Sequence, residues 1–156
     1  MISGLIYWKY TLLGLIMTDY SSTDFQILKS RLNANPQDYE AAVGLGNLYY
    51  DAHEAALAIV YYSVAIRLNP NAPEVMTDMA TMYWQNGDIG LSEQTFREAI
   101  NLHPEFGNAY LNLGLLLAHG KDEHKKAIAV WNKLISALPE HPAAQRARQL
   151  LIELNQ

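Results

Sequence analysis

The sequence contains no cysteine, which excludes a disulfide framework, a thiolate nucleophile and a cysteine-ligated zinc site. Basic residues are also few: 11 lysines and arginines stand against 16 aspartates and glutamates, so the formal net charge is −5. This balance argues against general nucleic-acid binding, which depends on clustered lysine and arginine. The sequence has no phosphate-binding glycine loop, no nucleophile-elbow serine and no HExxH zinc motif. We therefore expect a protein without catalytic residues, cofactor or metal.

The charges are unevenly spread along the chain. Residues 38–105 contain ten acidic residues and only two basic ones, whereas residues 121–156 contain six basic and four acidic ones. Such charges are typical of solvated helix faces. They also allow a binding surface in the acidic part that prefers a neutral or basic partner.

A long hydrophobic run occurs at the N-terminus. Residues 2–17 are apolar except for Ser3, Lys9 and Thr11. The run is shorter than the ~20 residues that cross a bilayer as a helix, and a central lysine costs about 2.5–3.5 kcal/mol on insertion. Three interpretations stay open for residues 1–18: a membrane anchor, an extension upstream of a start at Met17, and an additional helix. We favour a cytoplasmic location, with an inner-membrane anchor through residues 2–17 as the alternative.

Proline recurs at a regular interval. Pro36, Pro70 and Pro104 are 34 residues apart, and Pro139 follows after 35. Each proline closes a similar phrase: LNANP, IRLNP, INLHP and ISALP. Proline cannot continue a helix and disfavours helical backbone in the residue before it, so these phrases predict helix ends. A period of this length indicates a stacked repeat architecture.

Between these prolines, small and large side chains alternate in register. Two helices that cross closely need small residues at the crossing and large ones where the crossing opens, which predicts an antiparallel helix pair in each repeat. In the third repeat the pattern slips by one residue, which we assign to an insertion in the turn HGKDEHKK. The predicted small pairs are Gly46 with Ala58, Ala80 with Ser92, and Gly114 with Ala127. The predicted large residues are Tyr49, Tyr62, Tyr83, Phe96 and Trp131.

These residues resemble the tetratricopeptide repeat family from about residue 38 to residue 139. The resemblance implies an all-α fold, a right-handed α-solenoid of antiparallel helix pairs with capping helices at both ends. The implied divisions are an N-terminal flanking helix in residues 19–36, three repeats within 37–140 (39–72, 73–106 and 107–141), and a C-terminal capping helix in 141–156.

The resemblance also implies a concave groove lined by the first helix of each repeat. We expect it to bind a neutral or basic protein or peptide segment with apolar anchors, and Tyr50 and Trp84 are its candidate aromatic contacts. Half-buried packing is the alternative interpretation of these two side chains. The predicted groove residues are Glu40, Val43, Asn47, Tyr50, Glu74, Thr77, Asp78, Thr81, Trp84, Asn108, Leu111, Asn112 and Leu115.

One variant of the family binds the C-terminal carboxylate of a chaperone with two lysines, an arginine and two asparagines. Only Asn47 matches that set here. Val43, Asp78, Asn108 and Asn112 occupy the other positions, and none of them is basic. Because Asp78 would repel a carboxylate, we reject this type of partner.

Four potential metal ligands, His119, Asp122, Glu123 and His124, lie close together in the third repeat. With no second ligand cluster to support them, we interpret them as a solvated turn. The leading functional hypothesis is a non-catalytic scaffold or adaptor. One alternative is a membrane-tethered assembly factor, because residues 127–142 resemble the last repeat of cytochrome c maturation proteins of this family. The other is a self-associating structural protein that uses Leu111 and Leu115.

Overall fold

The computed structural model describes residues 23–154, which form helices joined by short turns. The apolar run of residues 2–17 lies outside the described residues. No strand is present between residues 23 and 154, and none of the helices there combines the length and apolar character needed to cross a bilayer. The helices are α1 (Thr23–Ala34), α2 (Tyr39–Asp51), α3 (Ala55–Leu68), α4 (Pro73–Gln85), α5 (Ile89–Leu102), α6 (Gly107–Leu115, continued by a π-helical turn Leu116–Gly120), α7 (His124–Ala137) and α8 (Pro142–Leu154).

The helix ends follow from local sequence. Pro73 and Pro142 are the first residues of α4 and α8, where the missing N–H costs nothing. Asp38 caps α2, because its Oδ1 accepts a hydrogen bond from the backbone N–H of Ala41 at 3.0 Å. Its carboxylate also accepts two hydrogen bonds from Arg31, at 2.9 and 3.0 Å. Asp38 thus joins the end of α1 to the start of α2.

The helices form three hairpins, α2 with α3, α4 with α5 and α6 with α7, which stack on one another between α1 and α8. The first helices of the hairpins, α2, α4 and α6, lie side by side. This arrangement confirms the predicted all-α solenoid. Within residues 23–154 the buried side chains form three clusters, each with residues of two neighbouring hairpins, and α8 adds Ala143, Ala144, Ala147 and Leu150 to the cluster of the third hairpin.

Each hairpin closes on a small residue in its first helix, but its partner is an aromatic ring in two of the three. A methyl group on Gly46 would lie 2.5 Å from ring carbons of Tyr62, and one on Gly114 would overlap the indole of Trp131. The predicted small partners, Ala58 and Ala127, are fully buried in α3 and α7, and the prediction did not include these ring contacts. In the middle hairpin the small pair is in direct contact, since Ser92 Oγ donates to the carbonyl of Ala80 at 2.7 Å.

The third repeat carries one extra residue, and it lies in the first helix rather than in the turn where we predicted it. The helical stretch from Gly107 to Gly120 includes a π-helical turn of five residues. In the first two hairpins the N–H that closes the turn donates to the carbonyl five residues earlier, as from Glu54 to Tyr49. In the third it donates six residues back, from Glu123 to Leu117. The wider helical turn absorbs the extra residue, so Trp131 still packs on Gly114.

The three hairpin turns share one backbone conformation. His53, Gly87 and Asp122 occupy equivalent turn positions and have φ of 57°, 88° and 56°. This left-handed region suits glycine and strains other residues by about 1–2 kcal/mol. Only the middle turn therefore has the residue that its geometry favours.

We expect Gly114→Ala to destabilise the protein by about 1–3 kcal/mol or more, because the added methyl group overlaps the ring of Trp131. Gly90→Ala is the matched control. Nothing lies within 4 Å of a methyl group there, and alanine favours helix, so we expect a small gain in stability. Urea unfolding measures both changes, and equal effects of the two substitutions would contradict the close-contact explanation.

We expect His53→Gly to stabilise the protein by about 0.5–1 kcal/mol, since relief of the left-handed strain exceeds the entropy that glycine adds to the unfolded chain. Gly87→Ala should have the opposite sign for the same reason. Thermal and urea unfolding test the pair. A loss of stability in His53→Gly would show that the histidine side chain contributes more than its backbone strain costs.

Candidate functional site

The first helices carry a cluster of three carboxylates where α2 and α4 lie side by side. Burial, followed by the charges of Glu74 and Asp51, raises the pKa of Asp78 to about 6. Within residues 23–154, none of these three carboxylates forms an ion pair with a lysine, arginine or histidine. The cluster is therefore a region of uncompensated negative charge.

Two tyrosines lie next to this cluster. Tyr50 is half-buried, and its pKa is raised by burial and then by the charges of Asp78 and Asp51. The hydroxyl of Tyr62, a ring buried in the first hairpin, donates to Asn47 Oδ1 at 2.8 Å. The repeat pattern predicts Tyr62 only as a large residue that fills the helix crossing. Its hydroxyl was the available signal, because a buried phenol needs a hydrogen-bond partner.

The other end of the predicted groove is apolar. Trp84, Leu111 and Leu115 are half-buried and pack against the core cluster of the third repeat. Trp84 lies over the π-helical turn, where a methyl group on Gly120 would be 3.0 Å from its indole nitrogen. The surface thus changes from acidic at α2 and α4 to apolar between α4 and α6.

One predicted groove residue is not accessible. Thr77 is buried, with 3% of its surface exposed, because α4 is flanked by α2 on one side and α6 on the other. Thr81 bonds to its own helix, donating to the carbonyl of Thr77 at 3.0 Å. Among the other predicted residues, Glu40, Asn47, Glu74 and Asn108 are exposed, and Val43, Thr81 and Asn112 are half-buried.

The histidine-containing turn of the third repeat makes ion pairs with its own neighbours. His124 Nε2 lies 3.1 Å from Asp122 Oδ1, and Glu123 pairs with Lys126 at 3.0 Å. His119 is exposed. In the described part of the chain no three histidine, aspartate or glutamate side chains are arranged to hold a metal ion.

Comparison with known proteins identifies the repeats. The model of the tetratricopeptide repeat family matches residues 26–73 and 77–142, well over half of the chain. A curated relative, the small glutamine-rich tetratricopeptide repeat-containing protein 2 of Mycosarcoma maydis, is 28% identical over 102 residues, which are 65% of this chain and 28% of the relative. The chain therefore corresponds to less than a third of that protein's length.

Two solved structures have a similar fold. A crystal structure of MamA matches with a TM-score of 0.70 and 23% identity, over 90% of this chain and 81% of that one. The TPR domain of Arabidopsis OM64 matches with a TM-score of 0.63 and 22% identity, over 74% of this chain and 94% of that domain. At these identities the two matches show the fold alone.

We expect Asp78→Asn to stabilise the protein at pH 7.5 by about 1–3 kcal/mol. The folded-state pKa of about 6 exceeds the ordinary aspartate pKa of 3.8, so the folded state binds more protons between these values. The contribution of Asp78 to stability therefore falls as pH rises through this window. The gain from Asp78→Asn should shrink as pH is lowered towards 4. Urea unfolding across this range tests it, with the exposed Glu98→Gln as control; a gain independent of pH would contradict the assignment.

Proposed function

Because the chain belongs to the tetratricopeptide repeat family, we propose that it is a non-catalytic scaffold that binds a protein or peptide segment along its concave face. The observation that carries the proposal is the unpaired carboxylate cluster of Asp51, Glu74 and Asp78 beside the half-buried ring of Tyr50. A partially buried charge without a counter-ion is costly, and a cationic partner group would remove that cost.

The chemistry of the surface supports a partner with a basic residue next to an apolar one. A lysine or arginine side chain would interact with the three carboxylates at α2 and α4. An apolar side chain would contact Trp84, Leu111 and Leu115, which keep part of their surface exposed. The exposed amide of Asn47, oriented by the hydroxyl of Tyr62 at 2.8 Å, can bond to a peptide backbone.

The acidic cluster also predicts how binding of a cationic segment depends on pH and salt. Asp78 is mostly protonated below its pKa of about 6, so the negative charge of the cluster increases as pH rises through this value. Binding of a cationic segment should therefore strengthen between pH 5 and pH 7. Salt should weaken it, because part of the interaction is between solvent-accessible charges.

The test uses two fluorescein-labelled peptides of eight residues, one alternating lysine with leucine and tyrosine, and one with glutamine in place of lysine. We expect fluorescence anisotropy to show binding of the lysine peptide at pH 7.5 and at least about tenfold weaker binding of the glutamine peptide. The double variant Glu74→Gln with Asp78→Asn should weaken binding of the lysine peptide at least about tenfold.

Two controls separate the site from the fold. Tyr50→Ala should weaken binding, with circular dichroism verifying that helicity is retained. Because Trp84 packs against the core, the double variant Tyr50→Ala with Trp84→Ala is informative only at unchanged helicity. Equal binding of both peptides, or undiminished binding by the carboxylate variant, would disprove the acidic groove as the binding site.

A further inference from the structure

A second candidate site lies away from the groove residues, in a cavity of about 370 Å³ between α5, α6 and α7. We call it the inter-repeat furrow. Arg97 and Asn101 of α5 line one side, and Val130 and Lys133 of α7 line the other. Ile100 and Tyr110 are among the apolar groups between them. No predicted groove residue contributes to it.

The lining of the furrow is positively charged. Arg97 donates to Glu93 Oε1 through two nitrogens, at 2.9 and 2.7 Å, and Lys121 bonds the other oxygen of Glu93 at 2.6 Å. Glu93 is thus shared between Arg97 and Lys121, and Lys121 also lies 3.6 Å from Glu123, so Arg97 has only a share of one carboxylate as its counter-charge.

The side chain of Lys133 is positioned by an aromatic ring and not by an ion pair with a carboxylate. Its ammonium nitrogen lies 5.6 Å from the centroid of the Tyr110 ring, within the range of a cation–π contact. Among residues 23–154 no carboxylate lies within ion-pair distance of Lys133. Glu105, which adds to the raised pKa of Tyr110, lies 3.5 Å from His103 Nδ1. Lys133 therefore keeps its charge free for a ligand.

The preceding repeat boundary has different residues at the equivalent positions. Ser63 lies 34 residues before Arg97, and Glu98 lies 35 residues before Lys133, the extra residue being the one in the π-helical turn. Ser63 Oγ approaches Met79 Sδ at 3.7 Å, and that boundary carries a hydroxyl and a carboxylate in place of the two cations. The charge of the furrow is therefore a property of its own residues and not of the repeat geometry.

We propose that the inter-repeat furrow is a second binding site, which takes an acidic segment of a partner protein. A carboxylate of that segment lies between Arg97 and Lys133, and an adjacent apolar side chain enters the cavity beside Ile100 and Val130. The opposite charge of the ligand is required because both ionic groups of the lining are cations. A volume of about 370 Å³ is at the small end of ligand sites, which suits one or two side chains.

The test measures anisotropy of a fluorescein-labelled eight-residue peptide that alternates glutamate with leucine and phenylalanine, using the full chain at low salt. The same peptide with glutamine in place of glutamate is the neutral probe. Lys133→Glu places in the furrow the residue type found at the equivalent position 98. Lys125→Glu makes the same charge change on an exposed part of α7 outside the furrow.

We expect the glutamate peptide to bind, the neutral peptide to bind at least about fivefold more weakly, and Lys133→Glu to abolish binding while Lys125→Glu changes it less than about twofold. Equal loss in both variants would overturn the proposal, since it would indicate a general charge effect. Displacement of the peptide by equimolar inorganic phosphate would overturn it as well, because the site would then be a simple anion site.

A second copy of this chain is the remaining alternative occupant. Sedimentation velocity of the wild type and Lys133→Glu over a dilution series distinguishes it. If self-association is present and is lost in Lys133→Glu, the occupant is another copy and the proposal of an acidic partner segment is wrong. The groove variants Glu74→Gln and Asp78→Asn should leave binding of the glutamate peptide unchanged, so failure of the groove proposal and failure of this one are separable.

Discussion

The contact between a glycine on one helix and an aromatic ring on the next is the constraint on which each outer hairpin depends. Gly46 against Tyr62 and Gly114 against Trp131 bring two backbones close enough for the rest of the interface to form. The middle hairpin reaches the same approach with Ala80 and a hydrogen bond from Ser92. Once the hairpins are closed, their first helices can lie side by side, and only that alignment gathers side chains from different repeats into a common surface.

The fold was largely predictable from the sequence, because its signals are local and repeated. A proline at a 34-residue interval predicts helix ends, and small and large residues in register predict paired helices. The sequence left open which residues contact each other. Periodicity identified Gly46 as a close-packing position without telling whether Ala58 or Tyr62 lies opposite, since both are on the same face of α3. The spacing of the prolines revealed the extra residue of the third repeat. Spacing alone cannot distinguish a longer turn between the helices from a π-helical turn within the first helix.

The candidate sites were predictable to different degrees. The groove followed from the family resemblance, yet the burial of Thr77 and the bond from Tyr62 to Asn47 depend on how neighbouring helices pack. The inter-repeat furrow had no sequence signal, because its lining comes from three helices and its cations are separated by 36 positions along the chain. The two surfaces carry charges of opposite sign, which the uneven spread of acidic and basic residues had suggested only in outline. The raised pKa of Asp78 indicates that the acidic surface is maintained at some expense of stability, as is common at binding sites.

The π-helical turn at Leu116–Gly120 also has a consequence for anyone who aligns or recombines such units. Successive residues of an α-helix are rotated by about 100°. Suppose that α7 is transplanted into another repeat by aligning the two sequences at a uniform period of 34 residues. Because the third repeat has one extra residue, the transplanted helix would be rotated by that angle, and Trp131 would point away from Gly114. Chimeras with consensus repeats should be aligned by structure and joined after residue 120, so that α6 keeps its π-helical turn.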